Sequence, residues 1–438
     1  MSARQPRQQE TSAIRRATKV AGMGVEMTGN YLAYLGQSLF LGPTARKTKL
    51  ETMQQKTARR ITDSMLELRG PLMKLGQTLS MYSDALPPAA LTELSRLQMQ
   101  APGMHPSLVR AQFRASLKRD PEEVFAEFDP TPFAAASLGQ VHRAKLQSGE
   151  TVAVKIQYPG IRDAIEADFK WFRTVALPAR VSKHFPDVLL KEVEEQIRAE
   201  ADYTREATNL ELFAKGLAPL GFVEVPRLYK AHSMGRVLTM SLVPGEHLEA
   251  FLATRPSRRL RDLVGAHLLE LFYFQILRLE MLHADPHWGN YLFGSDGRIG
   301  LVDFGCVKHL PAPFVASFRK ILFYNGSYDS DDFKRLMEEY YAPSGIQLSP
   351  ATYKAQASLN ERFYRKVYPS GPDADAKIFD FSDADFLRDY IQEGTKLVRS
   401  KGVRPEYLFL GRAEIGLYQT LHRLGARVHT SRLVRKYL

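Results

Sequence analysis

Two short runs hold the residues best able to do chemistry. His283-Ala284-Asp285-Pro286-His287-Trp288-Gly289-Asn290 has the form H-x-D-x-x-x-x-N, and Asp303-Phe304-Gly305 follows, placing Asn290 and Asp303 13 residues apart. Phosphoryl transfer needs a divalent cation across the phosphates, and Mg²⁺ takes hard oxygen ligands. Asn290 and Asp303 supply two such ligands. The reaction also needs an acceptor or a water held in line, a task for Asp285. A D-F-G tripeptide alone says little, but the two runs in this order point to kinase-type chemistry. His283 and His287, four apart, imitate a metal pair; a catalytic loop is not a helix, and a hard cation is better served by Asn290 and Asp303.

These residues need elements to position them. Tyr291 to Phe293 and Ile299 to Val302 read as two strands joined by a turn at Ser295-Asp296-Gly297. Upstream, a period of two marks strands from Val141 to Leu146 and from Thr151 to Gln157. In the second, Val152, Val154 and Ile156 share one face and Ala153 and Lys155 the other, which would put Ala153 against a base and Lys155 on phosphates. A long acidic helix is expected from Lys191 to about Lys215. On it Asp202 and Glu206 lie one turn apart, while Glu200 is about 200° from Asp202. Glu206 is therefore expected to pair with Lys155, leaving Glu200 and Asp202 for another task. Val237 to Val243 reads as a strand ending at Pro244-Gly245, a hinge between two lobes, with Met240 as a nucleotide contact. Asp262 to Met281 reads as a buried helix. Beyond Gly305, helices are expected at 311–323, 331–340, 350–367, 383–399 and 407–424.

Ahead of the strands the pattern is helical. Met65, Leu68, Leu72, Leu75 and Leu79 form one apolar stripe, and Lys74 and Gln77 share a face off it. Further helices are expected at 92–99, 106–117 and 121–128, the last running up to Asp129-Pro130-Thr131-Pro132. Residues 1–17 read as disordered.

Composition narrows the partners. An apolar content of 44% with 25% charged residues is ordinary for a globular chain, and the single cysteine, Cys306, excludes an internal disulfide. The net charge is +12, and residues 1–60 carry eleven Lys or Arg against three Glu, a net of +8. That segment is either plain solvated surface or a basic arm for an anionic membrane. No zinc finger or helix-turn-helix pattern favours nucleic acid. Val20 to Phe40 is too polar and glycine-rich to cross a bilayer; it reads either as an interfacial helix or as one that docks on the protein. The expected location is cytoplasmic, peripheral on the inner face of the membrane. Oligomeric state is not legible.

Over residues 60–430 the chain resembles the UbiB/AarF (ADCK-like) atypical kinase family. Lys74-Leu75-Gly76-Gln77 is similar to its K-x-G-Q. Ala134-Ala135-Ala136-Ser137 with Gly139-Gln140-Val141-His142 resembles its alanine-rich nucleotide loop, and Glu200-Ala201-Asp202 its E-x-D. Glu206 falls at its lysine-pairing glutamate, and His283 to Asn290 resembles H-A-D-P-H-P-G-N. The resemblance implies an α+β, two-lobed protein-kinase-like fold with an N-terminal helical extension over the cleft. Its parts would be 1–60, 61–120, 121–240 and 241–438. It further implies ATP and Mg²⁺, an ATPase or atypical kinase tied to isoprenoid or quinone-like lipid, and a lid in which Lys74 and Gln77 meet Glu200 and Asp202. Alanine resists positive φ, so a nucleotide loop of Ala134 to Ser137 would be stiffer than a glycine loop. Three departures stand out: Trp288 replaces the usual proline, Ser241 replaces an acidic hinge residue, and the membrane span of animal members has no counterpart. Two rival readings are a small-molecule kinase of the aminoglycoside or choline type and a nucleotide-gated lipid-binding chaperone without phosphoryl transfer.

Overall fold

The computed structural model describes residues 104–136, 138–171, 187–285, 287–342, 348–399 and 405–438, with scattered positions between 22 and 63. The expected disordered start, most of the stretch at 20–40 read as an interfacial or docking helix, most of the helical run at 61–79, the helix at 92–99, and with them Lys74, Gln77 and also Ser137, lie outside the described residues. Two compact units emerge, one of residues 1–207 and 228–242, the other of 208–227 and 243–438.

In the first unit α1 (Pro106–Leu117) carries proline at its first position, where no amide donor is needed, and stops at Lys118 with φ 59°. The four-residue α2 (Pro121–Val124) opens on a capping box of Asp120 and Glu123. The chain then extends into β1 (Glu127–Ala136), where a helix to Phe128 and a loop were expected. The reason is position in the sheet. The order is β1-β2-β3-β5, so β1 is an edge, and an edge strand tolerates Pro130 and Pro132. The register shifts between Phe128 and Pro132, then settles as Ala134 opposite Val141, Ala135 opposite Gln140 and Ala136 opposite Gly139. The alanine run is thus the end of a strand, and the turn follows it.

Strands β2 (Gly139–Lys145) and β3 (Thr151–Gln157) form the expected antiparallel pair. Val152, Val154 and Ile156 are fully buried. Gly139 is required by close approach: a Cβ there would sit 2.4 Å from the Ile156 carbonyl oxygen. His142 is buried beneath this hairpin. Its Nδ1 lies 2.8 Å from the Asp129 carbonyl and its Nε2 2.6 Å from Gln140 Nε2. Nδ1 therefore donates and Nε2 accepts, the neutral ring, and burial lowers the His142 pKa.

After α3 (Ile161–Trp171) the expected single acidic helix is two: α4 (Asp187–Glu200) and α5 (Tyr203–Leu217). The break has a cause. Asp202 Oδ1 accepts the Thr204 and Arg205 amides at 3.1 and 3.3 Å, an N-cap that starts a new helix. Gln157 Nε2 donates to the Ala201 carbonyl at 2.9 Å and pins the corner to β3. Two strands follow, β4 (Val223–Glu224), which belongs to the second unit, and β5 (Val237–Ser241), which pairs with β3.

The second unit is mainly helical. Short α6 (Leu248–Ala253) precedes α7 (Arg258–Leu277), which is capped by Ser257 and begins four residues before the expected start. Strand β6 (Met281–His283) pairs with β9 (Val307–His309), and β7 (Tyr291–Phe293) and β8 (Ile299–Leu301) join β4 in the order β4-β8-β7. Helices α8 (Ala312–Leu322), α9 (Asp331–Tyr341) and α10 (Pro350–Leu359) follow, α10 continuing through a π-helical turn at Asn360–Tyr364 to Val367. Strands β10 (Phe379–Asp380) and β11 (Arg427–Val428) pair around α11 (Ala384–Arg399) and α12 (Pro405–Leu424), and α13 (Thr430–Arg435) ends the chain. Neither that strand pair nor α13 was anticipated. Glu414 of α12 is 2% exposed. Its carboxylate accepts the hydroxyls of Tyr364, of Tyr390 at 2.6 Å, of Tyr418 at 3.1 Å and of Tyr273 at 3.4 Å. Burial pushes the Glu414 pKa up, while the four hydroxyls pull it down. Among the described residues no helix is long and apolar enough to cross a membrane.

Candidate active site

In the first unit, β3 presents Lys155 and α5 presents Glu206. Lys155 Nζ donates to Glu206 Oε1 at 2.7 Å and to Oε2 at 2.9 Å. The side chains are 8% and 1% exposed, so the pair is dry. The Tyr203 ring lies 5.2 Å from Nζ, within cation–π range. Ala153 and Met240 are cross-strand partners on β3 and β5, both buried, with Ser241 opposite Val152. Ala134 and Ala136 are half-exposed near the end of β1. Glu200 is buried at the end of α4 and accepts from Gln196 Nε2 at 3.3 Å. Asp202 is spoken for, in part, by the α5 cap.

In the second unit, β6 leads into the loop and β7 leaves it. The Ala284 amide donates to the Cys306 carbonyl at 2.9 Å, so the start of the loop is tied to the residue after D-F-G. Trp288–Asn290 is a 3-10 turn, with His287 Nδ1 accepting the Gly289 amide at 3.0 Å. Asn290 Nδ2 donates to the Asp285 carbonyl at 3.4 Å. The Val302 amide donates to the Asn290 carbonyl at 2.9 Å. That β7–β8 closure brings Asn290 and Asp303 together across 13 residues of sequence. Asp303 has φ 68°, left-handed backbone that a side chain rarely adopts, and its Oδ1 accepts the Gly305 amide at 3.0 Å. The Tyr291 hydroxyl is pushed far up by burial, with the nearby Asp285 charge adding to the effect.

His283 Nε2 is 2.5 Å from the Asp303 carbonyl, which can only accept, so Nε2 carries the proton. Its amide donates to Gln275 Oε1 of α7 at 2.8 Å. Among the described residues no group of three or more His, Cys, Asp or Glu is arranged to hold a metal.

Several supporting residues escaped sequence reasoning. Asn209 Nδ2 donates to the Phe304 carbonyl at 2.9 Å, and the Phe213 ring packs against Phe304 and His283. A signal existed: Glu206 and Phe213, seven apart, share a face of α5. Arg412, 7% exposed on α12, donates from Nη2 to the Ala284 carbonyl at 3.3 Å. No local pattern announces a partner 128 residues away.

Comparison with known proteins bears on the family and the fold. The ABC1 atypical kinase-like domain model matches residues 96–337. The Saccharomyces cerevisiae protein named atypical kinase COQ8, mitochondrial, is 29% identical over 388 residues, covering 86% of this chain and 75% of that one. The Arabidopsis thaliana protein named Activity of BC1 complex kinase 7, chloroplastic, is 34% identical over 322 residues, 72% of this chain and 44% of that one. Among solved structures, Rv3197 of Mycobacterium tuberculosis, in complex with erythromycin, superposes with a TM-score of 0.57 at 26% identity, covering 90% of this chain and 98% of that one. The fold is kinase-like, and the chain belongs to the ABC1 atypical kinase-like family.

Proposed function

We propose that this chain binds ATP with Mg²⁺ and cleaves or transfers the γ-phosphoryl group at a membrane surface, in support of isoprenoid-lipid or quinone metabolism. The observation that carries the reading is the dry Lys155–Glu206 pair at 2.7 and 2.9 Å. A buried lysine fixed by two carboxylate oxygens is poised to receive phosphate oxygens, and the glutamate sets its direction. Asn290 Oδ1 and the Asp303 carboxylate are the donors for Mg²⁺, which characteristically takes one or two carboxylates and completes its shell with phosphates and waters. Two hard donors, with no closed cage among the described residues, fit that habit. When bound, the ion neutralises charge on the phosphates. Asp285 orients the attacking hydroxyl or water, Ala153 and Met240 flank the base, and Ala134 to Ser137 lie over the phosphates. Lys74 and Gln77, with Glu200 and Asp202, act as a lid.

The membrane part rests on the net +8 of residues 1–60 and on the family resemblance. Charge of that density holds a protein to anionic lipid in a salt-dependent way. The test is ATP turnover and MgATP affinity by calorimetry, with and without anionic vesicles and a substituted phenol as a quinone-head mimic. Asp303→Asn should remove Mg²⁺-dependent binding while the fold stays intact; unchanged affinity in the folded variant overturns the metal assignment. Turnover indifferent to vesicles and salt overturns the membrane part alone. Faster phosphorylation of choline or an amino sugar would favour the small-molecule kinase instead.

A further inference from the structure

Helix α12 lies beyond residues 96–337, the part matched by the family domain, yet two of its arginines reach the catalytic loop. Arg412 donates to the Ala284 carbonyl, immediately before Asp285. Arg423 sits over the Trp288 ring, 4.9 Å from its centroid. Arg423 also forms an ion pair with Glu249, in the first turn of α6. The spacing is informative. Eleven residues make three turns plus about 20°, so both arginines lie on one face of α12, about 16 Å apart. Glu414, two residues after Arg412, is about 200° round the helix and points into the four tyrosine hydroxyls. One face of α12 is therefore locked into the helical core, and the opposite face grips the loop.

We propose that Arg412 and Arg423 are positioning residues for the loop, holding it at Ala284 and at Trp288 and so fixing Asp285 and Asn290 between and beside these two anchors. The Trp288 departure then has a use. Proline would stiffen the loop by itself, but it offers no ring face, whereas an indole gives Arg423 the strongest of the cation–π surfaces. Glu249 completes a stack of carboxylate, guanidinium and indole that ties α6, α12 and the loop. The Trp288–Asn290 turn begins at the stacked residue, so freedom at Trp288 becomes displacement at Asn290. This inference deepens the proposed function, on which its catalytic arm rests.

The experiment has one arm that needs no turnover. The chain has two tryptophans, Trp171 and Trp288, so the Trp171→Phe variant of the full chain reports on Trp288 alone. In that background Arg423→Ala should shift the emission to longer wavelength and increase quenching by acrylamide, with Arg423→Lys in between. Unchanged emission and quenching overturn the stack. The second arm is kinetic. Arg423→Ala and Trp288→Leu should each lower kcat for Mg²⁺-dependent ATP cleavage about fivefold with KM for ATP little changed, and the double variant should fall no further than either single. Arg412→Lys should keep part of the kcat that Arg412→Ala loses. Additive losses, or losses confined to KM, overturn the positioning role. If the wild-type chain turns over no ATP, the proposed function fails while the fluorescence arm still decides whether Arg423 holds Trp288.

Discussion

Glu206 and Glu414 are both carboxylates cut off from water, and they are stabilised in opposite ways. Glu206 faces the ammonium of Lys155. Glu414 faces the hydroxyls of Tyr273, Tyr364, Tyr390 and Tyr418, with Tyr368 linked to Tyr418 at 3.0 Å. A charge partner leaves Lys155 fixed but exchangeable: phosphate oxygens can take up some of its hydrogen bonds without leaving either group bare. A ring of neutral donors offers no ligand a charge to bind. It spreads one buried carboxyl over three helices and the residues that follow α10. The first arrangement suits a site that must accept an anion, the second a site that must stay shut.

Breaking the charged pair should have the largest effect. Lys155→Met removes the ammonium that Glu206 binds through both oxygens, and the loss should be about 3–5 kcal/mol, read by urea unfolding. Lys155→Met/Glu206→Leu should recover most of that stability and none of the nucleotide binding. If the double variant is no more stable than the single, the pair is not what holds this part of the first unit.

The tyrosine ring should respond to pH instead. The Glu414 pKa is raised above its usual value of 4.5, so the folded state keeps a proton that the unfolded state releases. Its contribution is full below that ordinary value and is lost as pH rises through the folded pKa. Glu414→Gln should flatten that part of the stability profile between weakly acidic and neutral pH. An unaltered slope would show that the four hydroxyls hold the carboxylate ionised throughout. The smallest change is Tyr364→Phe, which leaves three donors in place and should cost about 1 kcal/mol by thermal unfolding. A loss as large as that of Lys155→Met would mean that the ring acts as a single cooperative unit.

The parts of the molecule legible in the sequence are those whose causes are local. Alternation gives the strand at 151–157 and, two residues late at its start, the one at 139–145, and the loop at 283–290 and the D-F-G turn follow from residue type at fixed spacing. Errors came where a distant or subtle partner decided. The run Glu200-Ala201-Asp202-Tyr203 has no glycine or proline, so it reads as uninterrupted helix until the Asp202 cap and the Gln157 bond to Ala201 are seen. Pro130 and Pro132 argue against a strand until β1 proves to be an edge. Glu414 and Arg412 carry no local signal of their roles, because Ala284, Tyr273 and Tyr364 are supplied by segments far away in sequence.

The backbone at Asp303 limits how the metal assignment can be examined cleanly. At φ 68° the residue occupies a conformation that asparagine and glycine accept and that most other residues resist by about 1–2 kcal/mol. An alanine scan through this turn would mix two perturbations, loss of the proposed ligand and a distorted peptide, and would exaggerate the role of the carboxylate. Asparagine removes the negative charge while tolerating the torsion and retaining an oxygen for the Gly305 amide. Glycine removes the side chain while the torsion costs nothing. The difference between those two variants, rather than either against wild type, reports what an uncharged oxygen at this position contributes through the Gly305 amide and a bound cation together.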